Sequence, residues 1–150
     1  MAQSLALLTT HIIFSTKHRS PWIEHTWQPR LYEYIGGLLR NRKCALLCAG
    51  GVEDHVHLLV AIHPTTNVSD VIRDIKANSS RWVHETITTK SEFAWQSGYA
   101  AFAVSRSLTD QVSAYIRAQE EHHRTVSFQD ELRAFLTRHG VEFDERYVWE

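Results

Sequence analysis

The sequence contains little of what small extracellular domains, fibrous chains and membrane proteins depend on. Its 150 residues include two cysteines, three prolines and six glycines, which excludes a disulfide framework and a collagen-like or linker-rich chain. The spacing of Cys44 and Cys48 fits neither a zinc site nor a redox motif, so we expect two buried free thiols. No apolar run approaches the length of a membrane span, and the first residues lack a signal-peptide pattern. These absences predict a cytoplasmic protein without a membrane partner.

An excess of charge of either sign is also lacking. The chain carries 16 basic and 17 acidic side chains, a net charge of −1 at pH 7, which argues against a protein that coats duplex DNA. Residues 1–90 hold ten basic and seven acidic side chains, whereas residues 91–150 hold six and ten. A phosphate-binding surface must therefore be local and small. Histidine is what the composition has in excess, with ten residues of this type.

The hydrophobic pattern predicts a single domain over residues 1–150, because no repeat or linker interrupts it. Alternation predicts strands over 5–16, 45–48, 56–62 and 99–104. Helical periodicity and capping residues predict helices over 27–42, from Asn67 to Val83, over about 109–123 and from Ser127 to Gly140. We also expect a tight turn at Gly50 and Gly51 and a hairpin arm at 93–95. The first six elements form a ferredoxin-like βαββαβ pattern, which is an α+β fold with an antiparallel sheet. The helix near 109–123 and the final helix and tail over 127–150 follow it.

Two histidines stand on the third predicted strand, which is central in this topology. Because strand side chains alternate, His55 and His57 share one face, while Val56 and Leu58 share the opposite, helix-covered face. The two imidazoles would lie about 7 Å apart along the strand, within reach of one ion. Half-buried histidines on an open sheet face would explain the same pattern without a metal. The central position followed by an apolar run favours a metal site, because buried rings need a partner.

The helix predicted over 109–123 carries three polar side chains on one face, Tyr115, Gln119 and His122. Tyr115 lies on the apolar stripe of this helix, so by itself it is explained as a core residue. Gln119 on the same stripe needs partners, and its carbonyl oxygen is a suitable third ligand beside two imidazoles. A cation held in this way polarises a phosphodiester, and a phenolate one helical turn away can attack it to give a covalent phosphotyrosine.

Other residues are weaker candidates for contacts with nucleic acid. Asp54 either orients His55 from behind or belongs to the turn. Three aromatic residues near the last strand either stack on unpaired bases or fill the core: Trp95, Tyr99 and Phe102. Seven basic residues are candidate phosphate contacts or solvated charges: Lys17, Arg19, Arg40, Arg42, Lys43, Arg73 and Lys76.

The chain resembles the single-tyrosine HUH transposases of the smallest bacterial insertion sequences (TnpA type), which include the REP-associated tyrosine transposases. The pair His55 and His57 around a bulky apolar residue matches the HUH motif, and Tyr115 and Gln119 match the C-terminal tyrosine helix. The likeness covers nearly the whole chain in order, through the stretches HIIFSTKHRSPWI, EDHVHLLV, WQSGYAAFAVSRS, YIRAQEEHHRTVSFQDE and HGVEFDERYVWE.

This resemblance implies a specific reaction. Mg²⁺ or Mn²⁺ would be held by His55, His57 and Gln119, and Tyr115 would be the nucleophile. The enzyme would cleave single-stranded DNA at the ends of an insertion sequence, leaving a 5′-phosphotyrosine and a free 3′-hydroxyl, and would rejoin strands without a nucleotide cofactor. It would recognise a subterminal hairpin, and it would form a homodimer in which the tyrosine helix of one subunit completes the site of the other.

Three other functions stay open at this point. A sheet of this topology can present aromatics to single-stranded nucleic acid without catalysis, as RRM-like modules do, although the third strand here carries histidines instead. A domesticated relative would apply the same chemistry to palindromes in the host genome as a monomer. A metal-dependent phosphodiesterase would use water as the nucleophile and leave Tyr115 with a structural role.

Overall fold

The computed structural model describes residues 2–150 and contains one four-stranded antiparallel sheet. The strands are β1 (Thr9–Ser15), β2 (Ala45–Val52), β3 (His55–Ala61) and β4 (Ala100–Ala103), in the order β2-β3-β1-β4. The helices are α1 (Gln28–Asn41), α2 (Val68–Thr86), α3 (Thr109–Arg117), α4 (Gln119–His122) and α5 (Phe128–Arg138). This order confirms the predicted ferredoxin-like fold with additional C-terminal helices.

One face of the sheet packs against α1 and α2 and forms the main core. The inward residues of β1 and β3 alternate along each strand, and the apolar stripes of the two helices recur at three and four residues. The fully buried members of this core include Ile12, Phe14, Val56, Leu58 and Val60 from the strands and Leu31, Ile35, Leu39, Val71, Ile72, Ile75 and Val83 from the helices. Helix α2 begins where predicted, because the side chain of Asn67 accepts hydrogen bonds from the backbone of Ser69 and Asp70.

The C-terminal helices α3, α4 and α5 cover the opposite face of the sheet. Ile116 of α3 packs against Leu59 and Cys48, and the aromatic and aliphatic residues of α5 pack against Ile13 and Phe102. The sheet face that carries the histidines is therefore buried in a second core and is not open to solvent. The signal in the sequence is Leu59, a large apolar residue that shares the face of His55 and His57.

Two predicted boundaries are wrong for reasons of packing. Gly50 and Gly51 do not form the turn, because β2 continues to Val52 and the chain reverses at Glu53 and Asp54. The glycines serve the strand itself: a Cβ at Gly50 would overlap the carbonyl oxygen of Ile116, and Gly51 has φ +153°. β2 begins at Ala45 as predicted, whereas the ends of the other three strands differ from the prediction, most of all β1, which begins at Thr9. The arm at 93–95 makes only a bridge between Thr16 and Trp95.

The helix predicted over 109–123 is divided into two. Ala118 leaves the helical conformation at φ −94° and ψ 14°, so that α3 ends at Arg117 and α4 begins at Gln119. The two parts make different contacts, since Ile116 packs on the sheet while Gln119 is drawn toward the histidines. The division lets both contacts form at once.

Two smaller expectations concern the thiols and the membrane. Cys44 and Cys48 are buried and free, as predicted. Within residues 2–150, none of the helices combines the length and apolarity that crossing a bilayer requires.

Gly50→Ala should lower the free energy of unfolding by about 1–3 kcal/mol, because the added methyl group pushes α3 away from β2. For a chain of this size we expect a fall in Tm of roughly 2–10 °C in thermal denaturation. Gly37→Ala is the matched control, since the new Cβ meets only the flexible end of Arg40 at 3.6 Å and adds helix propensity. Equal Tm values for wild type and Gly50→Ala would show that this contact is dispensable.

Candidate metal and nucleophile site

His55 and His57 lie at the beginning of β3, in the interior of the sheet, and are fully buried under the C-terminal helices. Their Nε2 atoms face the same carboxylate oxygen, Oε1 of Glu131, at 3.5 Å and 2.9 Å respectively. The two rings approach each other with centroids 5.1 Å apart. The pair therefore presents two imidazole nitrogens to one point, as the strand alternation predicts.

The second nitrogen of each ring is held from behind. Nδ1 of His55 lies 2.7 Å from a carboxylate oxygen of Asp54, and Nδ1 of His57 lies 2.8 Å from Nε2 of His11. Such partners fix the orientation of a histidine and leave its other nitrogen pointing into the site. Asp54 lies in the turn and also contacts His55, so the two positions that the sequence leaves open for it are compatible. His11, a buried residue of β1, was not predicted from the sequence.

Gln119 reaches the histidines from the beginning of α4. Its Oε1 accepts hydrogen bonds from Nε2 of His55 at 3.0 Å and Nε2 of His123 at 2.9 Å, while its Nε2 donates to Oε2 of Glu131 at 2.9 Å. Every polar atom of this buried amide has a partner. The structure brings Gln119 to the predicted place, and its role as a metal ligand stays a prediction.

Glu131 occupies the centre of the site, and the sequence reasoning did not single it out. It belongs to α5 and is only 3% exposed. Its Oε1 faces the Nε2 atoms of His55, His57 and His123, and its Oε2 faces Tyr115 and Gln119. A signal was available, because Glu131 interrupts the apolar stripe of α5 between Phe128 and the residues one turn later. A carboxylate on a buried stripe requires partners.

The hydroxyl of Tyr115 points into this cluster from α3. It donates a hydrogen bond to Oε2 of Glu131 and lies 3.3 Å from Nε2 of His122. The ring packs edge-on against His57 and Phe135, with centroids 5.9 Å and 5.5 Å apart. Tyr115 is therefore both a core residue and a hydroxyl aimed at the histidine site.

Burial and charge set the protonation of the cluster. Burial lowers the pKa of His57 to about 4, so its imidazole is neutral at physiological pH. Burial also acts to lower the pKa of His55, but the carboxylates of Asp54 and Glu131 outweigh it and raise that pKa to about 9. Burial raises the pKa of Tyr115, and the neighbouring carboxylate of Glu131 raises it further.

The carboxyl group of Glu131 is ionised although it is buried. Burial acts to raise its pKa, but hydrogen bonds from His123, His55 and His57 outweigh that effect and hold the pKa far below its usual range. The cluster thus combines a carboxylate with imidazoles in a pocket that excludes water, and the four ligand atoms of these residues lie within 4.8 Å of one another. Such a group of donors is compatible with a divalent metal ion.

The predicted phosphate contacts do not gather in one place. Lys17 and Arg19 line a cavity of about 650 Å³ beside Trp95 and Trp149, and Arg40 lines a separate groove beside Trp82. Lys43, in a left-handed conformation at φ 61°, directly follows the end of α1. Their roles in DNA binding stay predictions.

Three other basic side chains are engaged within the chain. Arg42 pairs with Asp74 at 3.0 Å and Arg73 with Asp70 at 2.9 Å. The ammonium group of Lys76 donates to the carbonyl oxygens of residues 96, 97 and 98 and so anchors that loop.

The three aromatic candidates divide in the same way. Trp95 and Phe102 are buried in the two cores, and Trp95 also donates a hydrogen bond to the hydroxyl of Ser79. Tyr99 is 44% exposed and is free to meet a ligand. Burial favours the structural role for the first two.

Comparison with known proteins identifies the family. The sequence profile described as "Transposase IS200 like" matches residues 4–119, which is most of the chain. The chain belongs to the IS200-like transposase family. Membership supports an enzymatic role in DNA transposition and confirms the resemblance found in the sequence. The matched segment includes the histidine pair, Tyr115 and Gln119, and it ends before His123 and Glu131.

Solved structures show the same fold. A candidate transposase from Deinococcus radiodurans R1 is 22% identical, with a TM-score of 0.63 over 79% of this chain and 98% of that one. A REP-associated tyrosine transposase bound to a REP hairpin is 17% identical, with a TM-score of 0.61 over 84% of this chain and 76% of that one. A search among curated proteins gives no significant match.

Removal of the central carboxylate should destabilise this transposase even without metal. Glu131→Ala leaves His57, Tyr115 and Gln119 without their common acceptor. In the presence of EDTA we expect the free energy of unfolding to fall by about 3 kcal/mol and Tm, measured by thermal denaturation, to fall by roughly 6–12 °C.

The control for this experiment is Asp130→Ala, the neighbouring acidic residue, which is exposed and pairs with Arg133. Asp130→Ala should change the free energy of unfolding by no more than about 0.5 kcal/mol. An equal, small effect of both variants would show that the buried carboxylate adds nothing to stability.

Proposed function

We propose that this transposase cleaves and rejoins single-stranded DNA at the ends of an insertion sequence, with Tyr115 as the nucleophile and a divalent metal ion at His55 and His57. The observation that carries the proposal is the convergence of three elements on one carboxylate. Glu131 contacts the hydroxyl of Tyr115 through one oxygen and the imidazoles of both histidines through the other. Nucleophile and metal-type ligands are therefore adjacent within one chain.

His55, His57 and Gln119 would hold the metal, since imidazole nitrogens and an amide oxygen suit Mn²⁺ and are compatible with Mg²⁺. When bound, the cation supplies Lewis-acid polarisation of the scissile phosphodiester. The chain's own residues supply the rest: Asp54 and His11 orient the two rings, and the helices above them exclude water.

The proposed step transfers a phosphoryl group from a sugar oxygen to tyrosine. The Oη atom of Tyr115 attacks the phosphorus, its proton passes to Nε2 of His122, which lies 3.3 Å away, and the bond from phosphorus to the 3′ oxygen breaks. The leaving 3′ oxygen takes a proton from solvent, which gives a 5′-phosphotyrosine and a free 3′-hydroxyl. An acceptor for the proton is needed because an ordinary tyrosine, with a pKa of about 10, is ionised in about one molecule per thousand at pH 7.

Attack by another 3′-hydroxyl on the phosphotyrosine reverses the step and joins new ends. The phosphodiester energy is kept in the covalent bond, so the reaction needs no nucleotide cofactor. Because the substrate is the DNA of the cell, we also propose that the enzyme acts in the cytoplasm.

Hairpin recognition is part of the proposal. The similar REP-associated transposase was solved bound to a REP hairpin, and its fold matches this chain over most of its length. The cavity lined by Lys17 and Arg19 offers positive charge for the phosphates of unpaired nucleotides. Tyr99, which follows the lining residue Ser97 by two positions and is exposed, offers an aromatic ring for their bases. The exposed Arg40 and Lys43 would extend the phosphate contacts along the end of α1.

The alternatives are less well supported by the geometry. An RRM-like module needs an open sheet face, whereas α3 and α5 cover the histidine face here. A phosphodiesterase that uses water would leave Tyr115 with a structural role. That function does not explain why the hydroxyl of Tyr115 contacts Glu131 beside the histidines.

Tyr115→Phe should abolish the covalent protein–DNA adduct while the fold is retained, because only the hydroxyl is removed. The measurement is denaturing gel electrophoresis after incubation with labelled single-stranded hairpin DNA and Mn²⁺. Tyr147→Phe is the control, since Tyr147 is 60% exposed and should keep the adduct. Cleavage by Tyr115→Phe at the wild-type rate would identify a hydrolase, and an unchanged duplex substrate would confirm the preference for single strands.

The place of the tyrosine within the dimer is a further part of the proposal. A homodimer with shared sites is what the resemblance implies, whereas here Tyr115 lies over the histidines of its own chain. We therefore expect that a mixture of His57→Ala and Tyr115→Phe proteins forms no adduct. Recovery of about a quarter to a half of wild-type adduct in the mixture would instead show that a tyrosine serves its partner's site.

A further inference from the structure

The site contains two more ligand-type side chains than the family resemblance supplies. His123 and Glu131 lie beyond the segment matched by the family profile, which ends at residue 119. Both are directed at the same point as the histidine pair, and the ligand atoms of all four lie within 4.8 Å of one another. They are therefore candidates for metal ligands in addition to His55, His57 and Gln119.

The distances from Oε1 of Glu131 to the three imidazole nitrogens resemble those between neighbouring ligands of a metal ion. Oε1 of Glu131 lies 2.9 Å from Nε2 of His57, 3.2 Å from Nε2 of His123 and 3.5 Å from Nε2 of His55. With bonds near 2.1 Å, neighbouring ligands lie about 3.0 Å apart in an octahedron and about 3.4 Å apart in a tetrahedron. Little movement is needed for an ion to enter between them.

The third imidazole is oriented in the same way as the other two. Nδ1 of His123 donates a hydrogen bond to the backbone carbonyl of Val126 at 2.6 Å, which leaves Nε2 to face the cluster. Asp54 and His11 hold the Nδ1 atoms of His55 and His57. A backbone carbonyl or a carboxylate is the usual partner behind a metal-ligating histidine; His55 and His123 have one, whereas His57 has the imidazole of His11 in that place.

We propose that His123 and Glu131 are ligands of the metal, so that this transposase has a centre of three imidazoles and one carboxylate that selects Mn²⁺ over Mg²⁺. The inference rests on the proposed function, because it places the ion at His55 and His57. Mg²⁺ requires oxygen ligands in near-ideal octahedral geometry and keeps several waters, whereas sites rich in imidazole bind first-row transition metals, a series that begins with Mn²⁺. Gln119 then either adds an amide oxygen or orients the rings through its hydrogen bonds.

Glu131 also links the metal to the nucleophile. Its Oε1 faces the imidazoles, while its Oε2 accepts the hydrogen bonds of Tyr115 and Gln119. A carboxylate that ligates through one oxygen keeps the other free for a hydrogen bond. One side chain would thus fix the distance between the ion and the attacking hydroxyl.

The experiment measures metal binding without DNA. Protein stripped with EDTA and then freed of it by gel filtration is titrated with Mn²⁺ and separately with Mg²⁺, using the electron paramagnetic resonance signal of free Mn²⁺ and calorimetry. Wild type should bind Mn²⁺ at least about tenfold more tightly than Mg²⁺. Glu131→Gln and His123→Gln should each weaken Mn²⁺ binding about tenfold or more.

Two controls separate ligation from folding. His122→Gln changes the adjacent histidine, which faces Oε2 of Glu131 and lies outside the four-residue ligand group, and it should bind Mn²⁺ within about threefold of wild type. Thermal denaturation of each metal-free variant shows whether it is folded. Nitrogen couplings in the pulsed resonance spectrum of bound Mn²⁺ give a direct readout, and His123→Gln should lose one of three.

The outcomes distinguish this inference from the proposed function. If folded Glu131→Gln and His123→Gln bind Mn²⁺ as wild type does while His57→Gln does not, the metal uses the predicted ligands alone and the inference fails. Equal affinities of wild type for Mn²⁺ and Mg²⁺ would overturn the selectivity. If wild type binds neither ion, the metal-dependent function fails as well.

Discussion

The buried carboxylate of Glu131 is the group on which the functional half of the structure depends. A charge out of contact with water costs several kcal/mol unless it is paired and hydrogen-bonded. Here the partners come from three separate parts of the chain: the histidines of β3, Tyr115 of α3 and Gln119 of α4. Satisfying one carboxylate therefore fixes how the C-terminal helices lie on the sheet, and it brings the hydroxyl of Tyr115 to the imidazoles.

The strand β3 connects this site to the rest of the fold. Its Val56, Leu58 and Val60 face the core under α1 and α2, while His55 and His57 face the C-terminal helices. A central strand that is buried on both faces is the most rigid position in a small sheet. Side chains on such an element keep their geometry without help from a mobile loop, as the proposed phosphoryl transfer requires.

The family match and the additional ligands occupy different parts of the chain. The IS200-like segment ends at residue 119 and contains the histidine pair, the tyrosine and the glutamine. His123 and Glu131 follow it, on the turn after α4 and on α5. The proposed reaction thus belongs to the shared part, while the donor set proposed for the ion is completed by the part that follows it.

The sequence by itself determined the order of the strands and the core face of β3, and it predicted Tyr115, His55, His57 and Gln119 as site residues. Alternation and helical periodicity are local properties, and the HUH pair and the tyrosine are read without knowledge of contacts. Only the tertiary structure decided that α3 to α5 cover the histidines, that Gly50 lies in a strand against Ile116, and that the helix breaks at Ala118. It also brought Glu131 and His11 to the site from distant positions. Those features depend on which buried polar groups meet, and long-range pairing of this kind leaves no periodic signal along the chain.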